Sequence, residues 1–300
     1  MRHYPSKLLL FGEYILLLGA RALATPVPSF YGHWAQAGLE SSENQRAALE
    51  RFARSEALKS IAGLDVRKFE QDVADGQFFQ SNIPQGYGLG SSGALCAAVY
   101  DRYVLEKTAD LSELKAIFAR MESYFHGKSS GIDPLTSYLN RPLWIDNVQD
   151  VQTFTAKPWK TDAPAVFLLD TRQERQTGPL VEWFLEQSRK PFFLKKLDTE
   201  LYPAHRNLLD AWQNCTARHF WTALQTVSTF QLENMPPMIP ESVRPVWEKC
   251  LENGEVLLKI CGAGGGGFMQ RFARNKNLAI ELCRPFTLTF PFEKHELVEK

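Results

Sequence analysis

Pro84-Gln85-Gly86-Tyr87-Gly88-Leu89-Gly90-Ser91-Ser92-Gly93 is the stretch that decides the reading of this chain. It follows a short apolar segment, Phe78–Ile83, that reads as a strand stopping at Pro84, and it leads into a helix of small residues from about Ser91. Glycines at alternate positions let the backbone curl so that successive N–H groups point inward, and they remove the Cβ atoms that would block an anion. The helix adds free N–H groups and the positive end of its dipole. Ser91 and Ser92 can offer hydroxyls to a phosphate or to a divalent cation. The alternative is a tight strand-to-helix turn with serine caps.

Two other phosphate patterns fail. Gly88-x-Gly90-x-x-Gly93 has the dinucleotide spacing, but no acidic residue closes a second strand about twenty residues on. Gly127-Lys128-Ser129 ends like a nucleotide-binding P-loop, yet Glu122 stands where its first glycine belongs.

Three further segments carry chemistry. Gly262-Ala263-Gly264-Gly265-Gly266-Gly267 joins two apolar strands, Val256–Cys261 and Phe268–Phe272. A hairpin needs one or two glycines, so the excess implies that another body approaches this backbone closely. In Pro5–Tyr14, Lys7 opens an otherwise apolar strand, which puts its ammonium at a sheet end. In Glu122–Asp133, Glu122 occupies the last turn of a helix over about Leu111–Phe125, where the dipole disfavours an anion. A cation nearby would explain it, as would an i,i+4 pairing with His126. Asp133, between a Ser-Ser-Gly turn and Pro134, has the address of a surface turn aspartate.

The chain has 300 residues, 44% of them hydrophobic, and 34 Lys+Arg balance 34 Asp+Glu. Disorder is excluded, and so is a sequence-wide basic footprint for nucleic acid. Five scattered cysteines fit reduced thiols rather than a disulfide frame or a zinc site. Leu8–Leu18 and Ala22-Leu23-Ala24 mimic a signal peptide, but Gly12-Glu13 interrupts the apolar run. No stretch is long and apolar enough for a membrane span. A cytoplasmic protein without membrane or nucleic-acid partners is expected.

Strands and helices alternate without a steady βαβ rhythm, so an α+β fold in two domains is expected, with the joint at Pro158–Pro164. The first domain would span 1–158 and the second 159–300. A capping pattern at Ser42-x-x-Gln45 opens a helix bearing Leu49, Phe52, Ala53, Ala57 and Ile61 on one face. Pro142–Ile145, Ala165–Asp170 and Thr287–Phe290 read as strands. Helices are expected near 178–188, over 203–232 with a break, and over 241–253. The seven tryptophans read as core and interface residues.

Taken in order, these segments resemble the GHMP kinase superfamily, which includes galactokinase, homoserine kinase, mevalonate kinase and phosphomevalonate kinase. Its first motif looks like Pro5–Gly19, its phosphate loop like Pro84–Gly93 and its third motif like Lys259–Gly267. Glu122…His126-Gly127…Ser130-Gly131-Ile132-Asp133 is similar to the mevalonate kinase branch. Tyr14, Gly93, Cys261 and Asn140-Arg141 depart from the residues common there, which are histidine, alanine, serine or threonine, and a glycine pair. The resemblance implies an N-terminal domain like ribosomal protein S5 domain 2 and a ferredoxin-like C-terminal domain.

It also implies an ATP-dependent kinase acting on the hydroxyl of a small acceptor, with mevalonate the leading candidate. Pro84, Gly86, Gly88, Leu89, Gly90, Ser91, Ser92 and Gly93 would bind ATP. Ser92 and Glu122 would hold Mg²⁺. Asp133 would accept the hydroxyl proton, and Lys7 would pair with Asp133 and the γ-phosphate. Glu13, Tyr14, Gly262, Ala263, Gly264 and Gly265 would border the acceptor or phosphate side. Asp170-Thr171-Arg172 and Arg175-Gln176-Thr177 follow a strand and offer further acceptor contacts, or an ordinary polar loop. A phosphomevalonate or sugar kinase, a decarboxylase working through a phosphorylated intermediate, and a non-catalytic nucleotide sensor stay open as alternatives, as does a homodimer.

Overall fold

The computed structural model describes residues 1–36, 43–146, 150–155, 157–159, 162–174, 177–284 and 286–292. In chain order the elements are β1 (Tyr4–Phe11), β2 (Ala22–Gln36), α1 (Glu43–Ala53), α2 (Glu56–Lys59), α3 (Val66–Ala74), β3 (Gln77–Ser81), α4 (Ser91–Tyr103), α5 (Leu111–His126), α6 (Ile132–Leu139), β4 (Leu143–Ile145) and β5 (Val151–Thr153). They continue with β6 (Ala165–Asp170), α7 (Thr177–Ser188), α8 (Pro191–Lys196), α9 (Tyr202–Asn214), α10 (Ala217–Asn234), α11 (Arg244–Asn253), β7 (Val256–Ile260), β8 (Phe268–Ala273), α12 (Lys276–Leu282) and β9 (Leu288–Thr289). The α+β class holds.

The fifteen-residue β2 organises the first sheet. It pairs antiparallel with β1 over most of its length, with β4 at its start (Ala22–Ala24) and with β3 at its end (Gly32–Gln36). The sequence reading did not identify this strand, which contains Pro26 and Pro28. Among the described residues, β2 pairs with β1 alone along the stretch that holds those prolines, so a missing donor can be tolerated there. The Ala22-Leu23-Ala24 of the signal-like pattern is buried β2. β1 begins at Tyr4, so Lys7 lies inside a strand and not at its start, a correction to the expectation above.

The second sheet runs β7-β8-β6-β9, all antiparallel. The Pro158–Pro164 segment falls between the two sheets in the chain. Where they meet, Phe11 of β1 stacks on Phe272 of β8 at 5.7 Å, with Phe220 and Trp212 against its edges. Trp159 packs on Trp212 and Phe220, in keeping with the reading of tryptophans as core and interface.

The helix expected over Leu49–Ile61 is two, α1 and α2. Ser55 caps the second by accepting from the Leu58 N–H, which breaks the run. Ser42 lies outside the described residues. The break expected within 203–232 falls at Cys215, which adopts the left-handed conformation (φ 55°) between α9 and α10. All five cysteines are free thiols. No helix among the described residues is long and apolar enough to cross a membrane.

Candidate active site

Gly86, Gly88 and Gly90 all have positive φ (77°, 74° and 72°), so the alternate glycines are where the chain needs a left-handed backbone. Gly90 is the N-cap of α4, and no side chain caps that helix. The serine-cap alternative therefore fails. The loop is tied to the first sheet through the Lys7 N–H, which donates to the Leu89 carbonyl at 2.8 Å.

α6 starts beside it. Gly131 is its N-cap in the left-handed region, and Asp133 falls in its first turn. Pro134 fits there because the first N–H groups of a helix lack intrahelical acceptors. The sequence reading of a surface turn is corrected accordingly. The Asp133 carboxylate presses on the loop: a Cβ at Gly90 would come within 2.9 Å of its Oδ2. At Gly93 a Cβ would meet the Pro134 nitrogen at 2.8 Å and the Asp133 carbonyl carbon at 2.9 Å. Gly93 is buried, serves the packing of α4 on α6 and is absent from the lining of the cleft at this loop. Asn140 closes α6 with φ 49°, taking the left-handed position that a glycine would otherwise fill.

Lys7 Nζ lies 2.6 Å from Asp133 Oδ1, with both side chains largely shielded from water. Ser92 Oγ donates to Glu122 Oε1 at 3.2 Å and lies 3.0 Å from His126 Nε2. Ser129 donates to the other Glu122 oxygen and accepts from the Gly131 N–H. Burial, with the Asp133 charge adding to it, pushes the Glu122 carboxyl up to about 7. Pro84, Gly86, Gly88, Leu89, Gly90, Ser91, Ser92, His126, Asp133 and Thr177 line one cleft of about 210 Å³. Two residues of this neighbourhood, His126 and Ser129, were not among the expected site residues, whereas Thr177, offered as a further acceptor contact, does line the cleft. The i,i+4 spacing of Glu122 and His126 was the available signal, although His126 reaches Ser92.

Ser92 and Glu122 offer two hard oxygen donors beside a curled, N–H-rich loop, and burial of Glu122 beside Asp133 makes its charged form one that a cation would further favour. That donor chemistry fits Mg²⁺, which keeps few protein ligands and takes the rest from phosphate and water. Among the described residues no group of three or more His, Cys, Asp or Glu is placed to hold a metal alone.

The remaining expected residues go elsewhere. The Glu13 carboxylate is buried, 2.5 Å from Lys259 Nζ and 2.9 Å from the Gln270 amide, which also donates to the Leu9 carbonyl. Burial raises its pKa against the pull of Lys259. Tyr14, at φ 66°, donates its hydroxyl to the Ala263 carbonyl at 2.5 Å and lays its ring against Phe184. These contacts join the first motif to the third and leave Glu13 and Tyr14 out of the cleft lining.

The glycine-rich hairpin does meet another body, and it is the protein itself. A Cβ at Gly264 would strike the Met238 carbonyl (2.5 Å), at Gly265 the Leu180 side chain (2.6 Å), and at Gly266 the Gln173 and Glu174 carbonyls (2.8 Å each). Gly267 abuts Tyr87 of the phosphate loop. Gly262, Ala263, Gly264 and Gly265 are thus absent from the cleft lining. Thr171 Oγ1 donates to the Gly267 carbonyl, and the Arg172 guanidinium reaches Thr287. Arg175 and Gln176 lie outside the described residues.

With this cleft at the start of α4 on a two-sheet α+β scaffold, residues 46–141 match the family model GHMP kinases N terminal domain, and the chain shares the fold of GHMP kinase structures. Among relatives, it is 25% identical over 282 residues to the mevalonate kinase of Archaeoglobus fulgidus, covering 88% of each chain. It superposes on the L. major mevalonate kinase bound to R-mevalonate with a TM-score of 0.67 (16% identity; 93% of this chain, 89% of that one). The Streptococcus pneumoniae phosphomevalonate kinase in complex with phosphomevalonate and AMPPNP follows at 0.61 (16% identity; 94% of each).

Proposed function

We propose that this protein transfers the γ-phosphate of ATP to the hydroxyl of mevalonate. The observation that carries the reading is the 2.6 Å pairing of Lys7 with Asp133 at the wall of the phosphate-loop cleft. Phosphoryl transfer asks little covalent chemistry of a protein; it needs the phosphate held, its charge offset and the acceptor hydroxyl deprotonated as it attacks.

The loop N–H groups from Gly86 to Ser92 and the uncapped start of α4 would hold the phosphates. Asp133 Oδ1 or Oδ2 would take the acceptor's proton, and the Lys7 ammonium would steady both that carboxylate and the phosphate. Ser92 and Glu122 would hold Mg²⁺, which when bound neutralises phosphate charge. Mevalonate is preferred because the relative at 25% identity over most of both chains is a mevalonate kinase. The fold is shared with a phosphomevalonate kinase, so the acceptor rests on that relative and on the Glu122–Asp133 motif.

ADP release measured across mevalonate, phosphomevalonate and galactose tests the proposal. Turnover of mevalonate with the highest kcat/KM is expected. Preference for either other acceptor would replace the substrate. Nucleotide binding with no turnover would replace catalysis with sensing, and acceptor-dependent release of carbon dioxide would mark a decarboxylase.

A further inference from the structure

Ser92 has one proton and two acceptors in reach. Its Oγ lies 3.2 Å from Glu122 Oε1 and 3.0 Å from His126 Nε2. A hydroxyl that ligates a hard cation turns a lone pair to it and must send its O–H elsewhere. Glu122 ceases to be a suitable acceptor once its Oε1 also faces the cation, and its Oε2 is already taken by the Ser129 hydroxyl. Of the two groups near Ser92, that leaves the imidazole.

We propose that His126 is a positioning residue for the cation: with its own proton on Nδ1, its Nε2 accepts the Ser92 hydroxyl and so holds the Ser92 lone pairs toward the metal. The proposal rests on the reading of Ser92 and Glu122 as the cation's protein donors. No covalent bond changes; the hydroxyl only rotates about Cβ–Oγ. The local fold supplies the placement. Glu122 and His126 are one helical turn apart on α5, so they share a face. Gly127, at φ 72°, ends α5 directly after His126 and leaves the ring at the cleft wall. A partner that fixes the orientation of a metal donor in this way is worth about 10–100-fold in metal affinity.

His126 is exposed, so its replacement leaves the core intact. Mn²⁺ binding to the protein with AMPPNP, followed by the loss of the free-ion EPR signal, reads the metal directly. AMPPNP affinity in EDTA reads the nucleotide without it. His126→Leu is expected to weaken Mn²⁺ about tenfold or more while leaving metal-free AMPPNP affinity unchanged. His126→Gln, whose amide oxygen can stand near the Nε2 position, should restore most of the loss. On a Ser92→Ala background His126→Leu should cost nothing further.

An unchanged Mn²⁺ affinity in His126→Leu overturns the inference, as do equal losses in the Leu and Gln variants or a full further loss on top of Ser92→Ala. Weakened metal-free AMPPNP binding would make His126 a phosphate contact instead. Wild-type protein that binds AMPPNP but gathers no Mn²⁺ would overturn the reading of Ser92 and Glu122 themselves, a result distinct from an unaltered His126→Leu.

Discussion

Lys7, on the first strand, and Asp133, in the first turn of α6, meet at 2.6 Å beside the left-handed glycines of the phosphate loop. Three separate packing events make that meeting. The Lys7 N–H is fixed to the Leu89 carbonyl, the Asp133 carboxylate abuts Gly90, and the α6 backbone abuts Gly93. Each is a place where a larger residue or a shifted register would pull the pair apart.

Gly93→Ala tests the closest of these contacts. In an exposed helix, alanine would stabilise by roughly 0.5–1 kcal/mol over glycine. Here the new methyl meets backbone atoms of Asp133 and Pro134 that no rotamer change can move. Overpacking of this kind costs about 1–3 kcal/mol. A lower Tm together with a lower kcat is the expected outcome in thermal melts and steady-state assays. A variant more stable than wild type would show that α6 gives way without cost.

Glu122→Gln separates stability from function. Burial and the Asp133 charge hold the Glu122 carboxyl up to about 7, so above that pH the fold carries an unfavourable charge. Because the folded state binds the extra proton, this group's contribution to stability falls as pH rises from about 4.5 to about 7 and is flat beyond. The neutral amide removes that cost, on the order of 1–3 kcal/mol at pH 8. Denaturant melts at pH 8 should show a more stable variant, and Mg²⁺ titrations should show a much weaker cation dependence. A less stable variant with normal Mg²⁺ response would contradict both parts.

His205 should govern stability on the acid side. Burial lowers its imidazole to about 4, and its Nε2–H meets the Arg21 carbonyl at 2.7 Å. The unfolded chain binds this proton first, so the contribution is fully present above about 6.5 and is lost as pH falls toward 4. The span corresponds to roughly 3 kcal/mol. His205→Gln keeps a donor but cannot titrate, and should flatten the stability curve between pH 4 and 6.5. An unaltered slope would place the acid sensitivity elsewhere.

The glycines were the legible part of this site, because a left-handed turn leaves few other choices of residue. Gly86, Gly88 and Gly90 were read as a curled phosphate loop, and the strand Ala165–Asp170 was read to the residue. The glycine-rich hairpin was read half correctly: something does crowd it, but that something is residues 173–174 and 237–238, which no local pattern could reveal. Proline misled at Pro134, which suggested a surface turn but lies in the first turn of α6, where a missing N–H is tolerated. Glu13 and Tyr14 were placed on the acceptor or phosphate side by the family resemblance, and their contacts with Lys259 and Ala263, far along the chain, were not legible locally.

The central claim is that Asp133 takes the acceptor's proton while Lys7 and the loop hold the phosphate. The most direct measurement is mevalonate-dependent ADP release by Asp133→Asn against wild type, with nucleotide affinity measured alongside. Turnover should fall by about 10²–10⁴-fold with nucleotide affinity unchanged. Near-normal turnover in that variant would contradict the account.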